Sequence, residues 1–170
     1  DNTASAEAAP AGVYIPSLGE LERDPQLRLE RDALMAILQF PAEATDDLLT
    51  DALTSAMKSE ALAVVRDTIS AHAADRTAEL WLEALVNALS DPYRPLITQL
   101  AVAPLPVPEG AEQAYVRGVL AALIERELLR NKAELVGRLQ RATGDVEQSR
   151  IIQQELLELE TKRRQLREER

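Results

Sequence analysis

Apolar residues recur at helical spacing through the last third of the chain, roughly residues 111–170. In the first half of this segment they lie three or four residues apart, which predicts one helix of about thirty residues, roughly 45 Å long. In the second half the spacing alternates between four and three residues, as in a coiled coil. The apolar positions are Val116, Leu120, Leu123, Ile124, Leu128, Leu135 and Leu139 in the first helix, and Ile152, Leu156, Leu159 and Leu166 in the second.

A four-residue connection, residues 142–145, separates these two helices. Gly144 can adopt the left-handed conformation that closes a helix, and the Asp145 carboxylate can cap the next one. Because so short a connection forces neighbouring helices to run antiparallel, the pattern predicts a helical hairpin. The apolar pattern lapses between Leu129 and Leu135, so the first helix is either continuous or bent near Arg130.

Shorter amphipathic segments before residue 104 predict a bundle of about five helices. Asp24-Pro25 and Asp91-Pro92 combine a capping carboxylate with a proline at the first helical position. Thr45 precedes two acidic residues, which suit the positive end of a helix dipole. The predicted helices are 25–40, 45–57, 59–73, 77–89 and 91–103, with Leu27, Leu34, Ile37, Leu38, Leu62, Val65, Ile69, Leu80, Trp81, Leu85 and Val86 turned inward.

These patterns give an all-α fold: a helical bundle subdomain, residues 21–128, followed by a long helix and a C-terminal antiparallel hairpin subdomain, residues 129–170. Hydrophobic residues make up 46 % of the chain but aromatic ones only 3 %, which favours a bundle. Residues 1–20 are predicted to be a disordered or loosely docked linker, with the apolar residues 13–15 touching the body. The chain does not begin with methionine, and we expect it to be a piece of a longer protein.

The charge of the chain is unevenly distributed. Residues 1–129 hold 9 basic and 21 acidic side chains, for −12, whereas residues 130–170 hold 10 basic and 8 acidic ones, for +2. The body should therefore repel nucleic acid, whose binding requires neutralised phosphates. The hairpin charges alternate in sign, as on a solvated helix with ion pairs. Direct single-strand binding through Arg130, Lys132, Arg138 and Arg141 is an alternative, but not the expected one.

Few residues suggest chemistry. The chain has no cysteine, which excludes disulfides and thiolate sites and fits the cytoplasm. His72 is the single histidine and lacks a Glu-x-x-His pattern, so we expect a helix-end residue rather than a metal ligand. No glycine-rich loop is present, and Ser59 and Ser90 occupy cap-like positions.

No apolar run approaches the roughly 18 residues of a membrane span. We expect no catalytic residue, metal or cofactor in this segment.

Some apolar residues of the last helix do not belong to its predicted interface. At 100° per residue, Leu157 and Val146 lie roughly 120° to 140° from the centre of the apolar stripe. Arg150, Gln153 and Arg164 share this side, which we call the outer face of the hairpin. Exposed apolar residues surrounded by polar and arginine side chains are typical of a partner-binding helix. Single exposed leucines are also ordinary on protein surfaces, so both interpretations stay open.

The order of these segments resembles the C-terminal helicase-binding domain of bacterial DNA primase. The resemblance covers about residues 20–170 and is carried by an opening segment, several short acidic helices and a closing segment. The opening segment is DPQLRLERDALMAILQFP, which contains Arg31, the apolar run from Leu34 to Leu38 and the Phe40-Pro41 stop. The closing segment has two parts, RNKAELVGRLQRA and QSRIIQQELLELETKRRQLRE. The second part contains Arg163, Arg164 and Leu166.

The resemblance implies a non-catalytic domain that docks on the N-terminal domains of the hexameric replicative helicase at the replication fork. It further implies that the hairpin supplies most of the attachment, while the bundle modulates helicase activity and primer synthesis belongs to an upstream part of the parent. The outer face is then the expected contact. Some relatives also hold the acidic tail of single-stranded DNA-binding protein, for which only Arg28 and Arg31 stand near the corresponding helix. A self-associating coiled-coil adaptor and a single-strand binder are the alternatives.

Overall fold

The computed structural model describes residues 12–170, and all regular secondary structure in this range is helical, which confirms the all-α fold class. Three short 3-10 turns, Pro41–Glu43, Ala73–Asp75 and Asp91–Tyr93, lie between the α-helices. The α-helices are α1 (Leu18–Arg23), α2 (Pro25–Gln39), α3 (Asp46–Thr54), α4 (Glu60–Ala71), α5 (Trp81–Ala88), α6 (Arg94–Val102), α7 (Glu112–Arg141) and α8 (Val146–Glu168).

Side-chain caps start several of these helices where the sequence placed them. The Asp24 carboxylate accepts a 2.8 Å hydrogen bond from the Gln26 amide at the start of α2. The Thr45 and Ser59 hydroxyls accept amide hydrogen bonds at the starts of α3 and α4. Each cap satisfies an amide that has no partner within its own helix. The predicted starts of these three helices are confirmed.

Helix α1 begins at Leu18, inside the segment predicted as a linker. Ser17 and Glu20 form a capping box in which each side chain accepts a hydrogen bond from the other residue's amide. Leu21 is completely buried, which ties α1 to the body. Of the three apolar residues expected to dock, Ile15 packs against the core whereas Val13 and Tyr14 are exposed. The rest of the predicted linker, residues 1–11, lies outside the described residues.

Helix α5 begins four residues later than the predicted helix 77–89. The chain between α4 and α5 forms successive turns, and the indole nitrogen of Trp81 donates a 2.8 Å hydrogen bond to the His72 carbonyl. This bond fixes the first residue of α5 to the end of α4. Leu80 was predicted to face inward, but it caps α5 and is 67 % exposed. Trp81 and Leu85 are buried as predicted.

Helix α2 lies at the centre of the body, packed against α1, α6 and α7. Its residues Ala33, Leu34 and Ile37 are buried, and α7 completes the core from its N-terminal half. Burial of each large aliphatic side chain contributes roughly 1.5–3 kcal/mol. The α7 residues that enter the core are Val116, Leu120, Ala121, Leu123, Ile124 and Leu128.

Helices α7 and α8 form the predicted antiparallel hairpin. Helix α7 is unbroken through Arg130, so the continuous alternative is the observed one. Gly144 has a φ of 94°, and Asp145 caps α8 by accepting from the Gln148 amide at 3.0 Å. Ile152, Leu159 and Leu166 are buried between the two helices or against the body, as the spacing predicted.

The base of the hairpin is anchored to the body. Leu159 and Leu166 belong to the same continuous core as the bundle, and Lys162 forms a 3.1 Å ion pair with Asp51 of α3. The turn lies at the other end of the hairpin, since Arg141 is about 24 Å further along α7 than Glu125 at 1.5 Å per residue. Within residues 12–170, no helix combines the length and apolarity that a membrane crossing requires.

Candidate functional site on the helical hairpin

The outer face of α8 is exposed. Val146 is 82 % exposed and Leu157 63 %, and the polar members of the predicted set, Arg150, Gln153 and Arg164, are exposed as well. Because Ile152, Leu159 and Leu166 on the other side of α8 are buried, the side chains of the outer face point away from α7. The structure therefore brings the five predicted residues onto one solvent-facing side of one helix. Their contact with a helicase stays a prediction.

Leu157 lies between two shallow depressions of the α8 surface. One depression is lined by Gln154, Thr161 and Gln165 together with the charged side chains of Glu158 and Lys162. The other is lined by Glu160, Thr161 and the arginines Arg163, Arg164 and Arg167. Leu157 is therefore an apolar side chain surrounded by polar and charged ones, an arrangement found in protein interfaces.

Arg164 is the cation of the outer face that is available to a partner. Arg150 forms a 2.9 Å ion pair with Glu147 one turn away, whereas no carboxylate among residues 12–170 pairs with Arg164. Exposed ion pairs such as that of Arg150 contribute little stability. A carboxylate of a partner could therefore approach Arg164 without displacing an internal acid.

The other basic residues of the hairpin are largely engaged. Arg130 pairs with Glu127 at 2.6 Å, Lys132 pairs with Glu160, and Arg138 pairs with Glu155 at 3.4 Å. The last two pairs join α7 to α8. Three of the four cations considered for single-strand binding thus have acidic neighbours, and the hairpin does not present them as a free basic patch.

A cluster of three arginines around one glutamate fixes the end of α8 against α7. Glu125 accepts hydrogen bonds from Arg167 at 3.2 Å and from Arg170 at 2.9 Å, and the Arg163 guanidinium lies 3.5 Å away. Burial raises the pKa of Glu125, but hydrogen bonds from Arg167 and Arg163 and the charge of Arg170 outweigh it and hold this pKa below its usual range. We call Glu125, Arg163, Arg167 and Arg170 together the Glu125 cluster. This cluster keeps the outer face in a fixed position relative to the body.

The two arginines considered for a single-stranded DNA-binding protein tail differ in their surroundings. Arg28 is exposed on α2. Arg31 is mostly buried, pairs with Asp32 at 2.8 Å and donates a 3.4 Å hydrogen bond to the Leu18 carbonyl. Arg31 therefore ties α1 to α2, and its charge is already balanced. The tail contact stays a prediction that depends mainly on Arg28.

Two exposed apolar residues of α7 were not singled out by the sequence pattern. Leu129 is 46 % exposed and Val136 38 %, although each directly follows a leucine turned inward, Leu128 or Leu135. Their separation of seven residues places them on the same side of α7. The sequence could have indicated them, because two apolar residues seven positions apart form a second apolar stripe on α7.

The remaining candidate residues, His72 and Ser59, have structural roles at helix ends. His72 caps the C-terminal end of α4, where its Nδ1 donates a 2.9 Å hydrogen bond to the Thr68 carbonyl. Among the described residues, no group of three or more histidine and acidic side chains could hold a metal ion. Ser59 is an N-cap, as its sequence position suggested.

A helical body that carries an anchored hairpin with an exposed, arginine-flanked outer face defines the class of this chain, the all-α domains that end in a helical hairpin. The family model described as DNA primase DnaG DnaB-binding matches residues 30–155. The chain therefore belongs to this family, as its resemblance to the helicase-binding domain of bacterial primase predicted. The matched region is a binding region of primases and not their catalytic part.

Similar proteins include the DNA primases of Mycobacterium tuberculosis and Mycobacterium bovis, each 33 % identical over 123 residues. The match covers 70 % of this chain but 19 % of each relative, so the chain spans about a fifth of the curated primases it matches. Among solved structures, the chain is similar to the helicase binding domain of primase from Mycobacterium tuberculosis. That match has a TM-score of 0.70 and 30 % identity, and it covers 84 % of this chain and 91 % of the other.

Proposed function

We propose that this chain tethers a bacterial DNA primase to the hexameric replicative helicase at the replication fork. The observation that carries the proposal is the outer face of α8, where Leu157 is 63 % exposed beside Arg164, which has no acidic partner within residues 12–170. Membership of a DnaB-binding family supports a helicase as the partner. The proposed contact residues are Val146, Arg150, Gln153, Leu157 and Arg164.

A tether needs no chemistry of its own. Holding the polymerase part of primase beside newly unwound template raises its local concentration, so a modest interface suffices to direct priming. The bundle then modulates helicase activity, and RNA primer synthesis is carried out by another part of the parent primase. This activity belongs in the cytoplasm, at forks associated with the nucleoid.

The anchoring of the hairpin supports this function. A docking face on a freely swinging helix would lose part of its binding free energy to ordering on association. Here Lys162 pairs with Asp51, and the Glu125 cluster joins the end of α8 to α7. The outer face is thus preorganised with respect to the body.

The test is a binding titration of this chain against the hexameric helicase of the same organism. We expect Leu157→Asp to weaken binding at least about tenfold, because the substitution would place an unpaired carboxylate in the buried part of the interface. Ile151→Asp is the matched control, since Ile151 is an exposed apolar residue of the same helix outside the outer face. Equal affinities of Leu157→Asp and the unmodified chain would refute the outer face as the contact.

The alternatives make different predictions. A self-associating adaptor would dimerise with rising concentration in sedimentation experiments without any helicase. A single-strand binder would bind an oligonucleotide with a steep salt dependence. The internal ion pairs of Arg130, Lys132 and Arg138 weigh against the second alternative. An acidic tail of single-stranded DNA-binding protein remains a candidate partner near Arg28.

A further inference from the structure

We infer that the connection between α6 and α7 binds a second protein, one whose surface has an aromatic-lined groove with a lysine or arginine at one end. The connection spans residues 103–111 and contains three prolines in alternate positions. Together with the last residue of α6, they form an exposed apolar row that we call the proline strip: Val102, Pro104, Pro106 and Pro108. This inference goes beyond the proposed tether and does not depend on it.

Burial alternates residue by residue along this segment. Val102 is 71 % exposed, and the three prolines are exposed as well. The residues between them are half-buried, and Ala103 and Leu105 pack against the core. The side chains of the proline strip therefore share one solvent-facing side of the segment, as alternate residues of non-helical chain do. The strip is at most about 21 Å long, and no charged residue interrupts it.

Hydrogen bonds hold both ends of the segment in place. At its start, the Gln39 side-chain amide donates a 2.8 Å hydrogen bond to the Ala103 carbonyl. At its end, the Ala111 amide donates a 3.0 Å hydrogen bond to the Pro108 carbonyl. Between these ends, each proline ring fixes its own φ near −65°. A partner would therefore meet a segment that loses little conformational freedom on binding.

The backbone of the segment is unsuited to pairing with a strand of a partner. Its three prolines have no amide hydrogen, and the amides of Ala103 and Val107 donate to carbonyls within the chain. Among residues 103–108, this leaves only the Leu105 amide for a partner strand. Proline segments bind instead by placing their rings against aromatic side chains in a groove. The strip thus favours an aromatic-lined groove over the edge of a sheet.

The charge next to the strip specifies one end of that groove. Glu109 directly follows the last proline and is exposed, and no lysine or arginine among residues 12–170 forms an ion pair with it. A cation of the partner at this end would pair with Glu109, whereas an acidic residue there would be repelled. Since the body as a whole is acidic, a basic rim also favours the encounter.

The proline strip is far from the outer face of the hairpin. The pairs of Lys132 with Glu160 and of Arg138 with Glu155 place Leu157 level with residues 135–136 of α7. That level is about 35 Å along α7 from its first residue, at 1.5 Å per residue, and the strip ends just before that residue. The chain can therefore hold a partner on the strip and the helicase on the outer face at the same time.

The first experiment tests the chemistry of the groove on the whole chain by heteronuclear NMR. Because the partner is unidentified, the probe is indole, the side chain of tryptophan. We expect indole to cause saturable shifts in the amide resonances of Leu105, Val107 and Glu109. Cyclohexanol, which is apolar but not aromatic, should cause much smaller shifts at the same concentrations.

A triple variant tests the strip itself. Pro104→Ala with Pro106→Ala and Pro108→Ala removes the three rings, and we expect the indole shifts to be lost. Pro95→Ala is the matched control, because Pro95 is an exposed proline in the first turn of α6, outside the strip. Its indole shifts should equal those of the unmodified chain. Circular dichroism checks that both variants keep the same helix content.

A pair of charged probes tests the cation on the partner. Tryptamine and indole-3-acetate carry the same ring with opposite charges. We expect tryptamine to bind about two- to fivefold more tightly at low salt, as for one exposed ion pair, and Glu109→Gln to remove this preference. Glu134→Gln, at an exposed position of α7 outside the strip, should keep it. Because these variants retain all three prolines, this test stands even where the triple variant does not fold.

Several results would overturn the inference. Indole shifts that do not saturate, or equal shifts with cyclohexanol, would remove the aromatic groove. Unchanged indole shifts in the triple variant would remove the strip as the binding segment. A tryptamine preference that Glu109→Gln retains would come from the acidic chain as a whole and would remove the cation on the partner.

Helicase binding separates this inference from the proposed function. We expect the triple variant to bind the hexameric helicase as tightly as the unmodified chain does. Weaker binding would assign the strip to the helicase and overturn the second protein, while the tether would stand. Self-association of the chain that the triple variant abolishes would assign the strip to a second copy and overturn the inference as well. Failure of the unmodified chain to bind the helicase would overturn the tether alone.

Discussion

Arg126 of α7 forms a 2.9 Å ion pair with Glu30 of α2, whose side chain is completely buried. The same carboxylate accepts hydrogen bonds from the amides of Lys58 at 2.8 Å and Ser59 at 3.0 Å. Arg126 also donates a 2.9 Å hydrogen bond to the Ala56 carbonyl. One acidic residue thus fixes both the start of α4 and α7, the helix that carries the hairpin, in addition to the Lys162–Asp51 ion pair at the base of the hairpin.

Replacement of Arg126 should therefore destabilise the whole chain. Removing one partner of a buried ion pair costs about 3–5 kcal/mol, and we expect Arg126→Met to fall near the lower value because Glu30 keeps two amide donors. Urea unfolding followed by circular dichroism measures the change. Arg150→Met is the control, because Arg150 and Glu147 form an exposed ion pair, and this variant should unfold at the same urea concentration as the unmodified chain.

Acidification should loosen the Glu125 cluster. Because the folded pKa of Glu125 lies below its usual value of about 4.3, its pairing stabilises the fold above that pH and is lost as the pH falls through the lowered folded pKa. The unmodified chain should be more stable than Glu125→Gln at pH 7, and the difference should shrink towards pH 3. Urea midpoints at both pH values test this. A difference that does not depend on pH would show that the Glu125 charge is not involved.

Truncation of two leucines five residues apart should change stability by very different amounts. Leu85 is completely buried, and Leu85→Ala should cost about 2–5 kcal/mol of unfolding free energy. Leu80 caps α5 in an exposed position, so Leu80→Ala should change stability by less than about 0.5 kcal/mol. Thermal unfolding of both variants measures the contrast. A large loss in Leu80→Ala would contradict the observed start of α5 at Trp81.

Two glycines of the hairpin, one in its turn and one within α7, provide another matched pair. Gly144 has a φ of 94°, and Gly144→Ala should cost about 1–2 kcal/mol because a side chain disfavours this conformation. Gly118 lies within α7, where an added methyl group meets no atom within 4 Å, and Gly118→Ala should stabilise the chain by about 0.5–1 kcal/mol. Chemical denaturation of the two single variants checks both signs.

Most of the fold follows from local signals. Asp24, Thr45, Ser59 and Asp145 cap helices where the sequence predicts them, because capping involves atoms only two or three residues apart. The start of α5 was not predictable in this way. It depends on a hydrogen bond from Trp81 to His72, and the intervening turns break the helical pattern. Helix α1 was predictable in principle, because Ser17 and Glu20 have the spacing of a capping box.

The candidate site was predicted only in part. Leu157 and Val146 were identified from α8 alone, because one helix determines which of its residues lie off its apolar stripe. Leu129 and Val136 were missed, although their seven-residue separation on α7 was a usable signal. The register between α7 and α8 was not predictable, because it is set by interhelical ion pairs such as Lys132 with Glu160. Pairing across two helices is not encoded in the periodicity of either.

The sequence by itself determined the helices, the hairpin and the interface side of α8, since helical periodicity and short connections are local properties. The tertiary structure alone decided which charges are balanced. Among residues 12–170, Arg31 and Arg163 pair with acidic residues and Arg164 does not, although the sequence alone does not distinguish the three arginines. An ion pair depends on where two side chains meet in space, so the charges beside the outer face became defined only when α8 packed against α7 and the body.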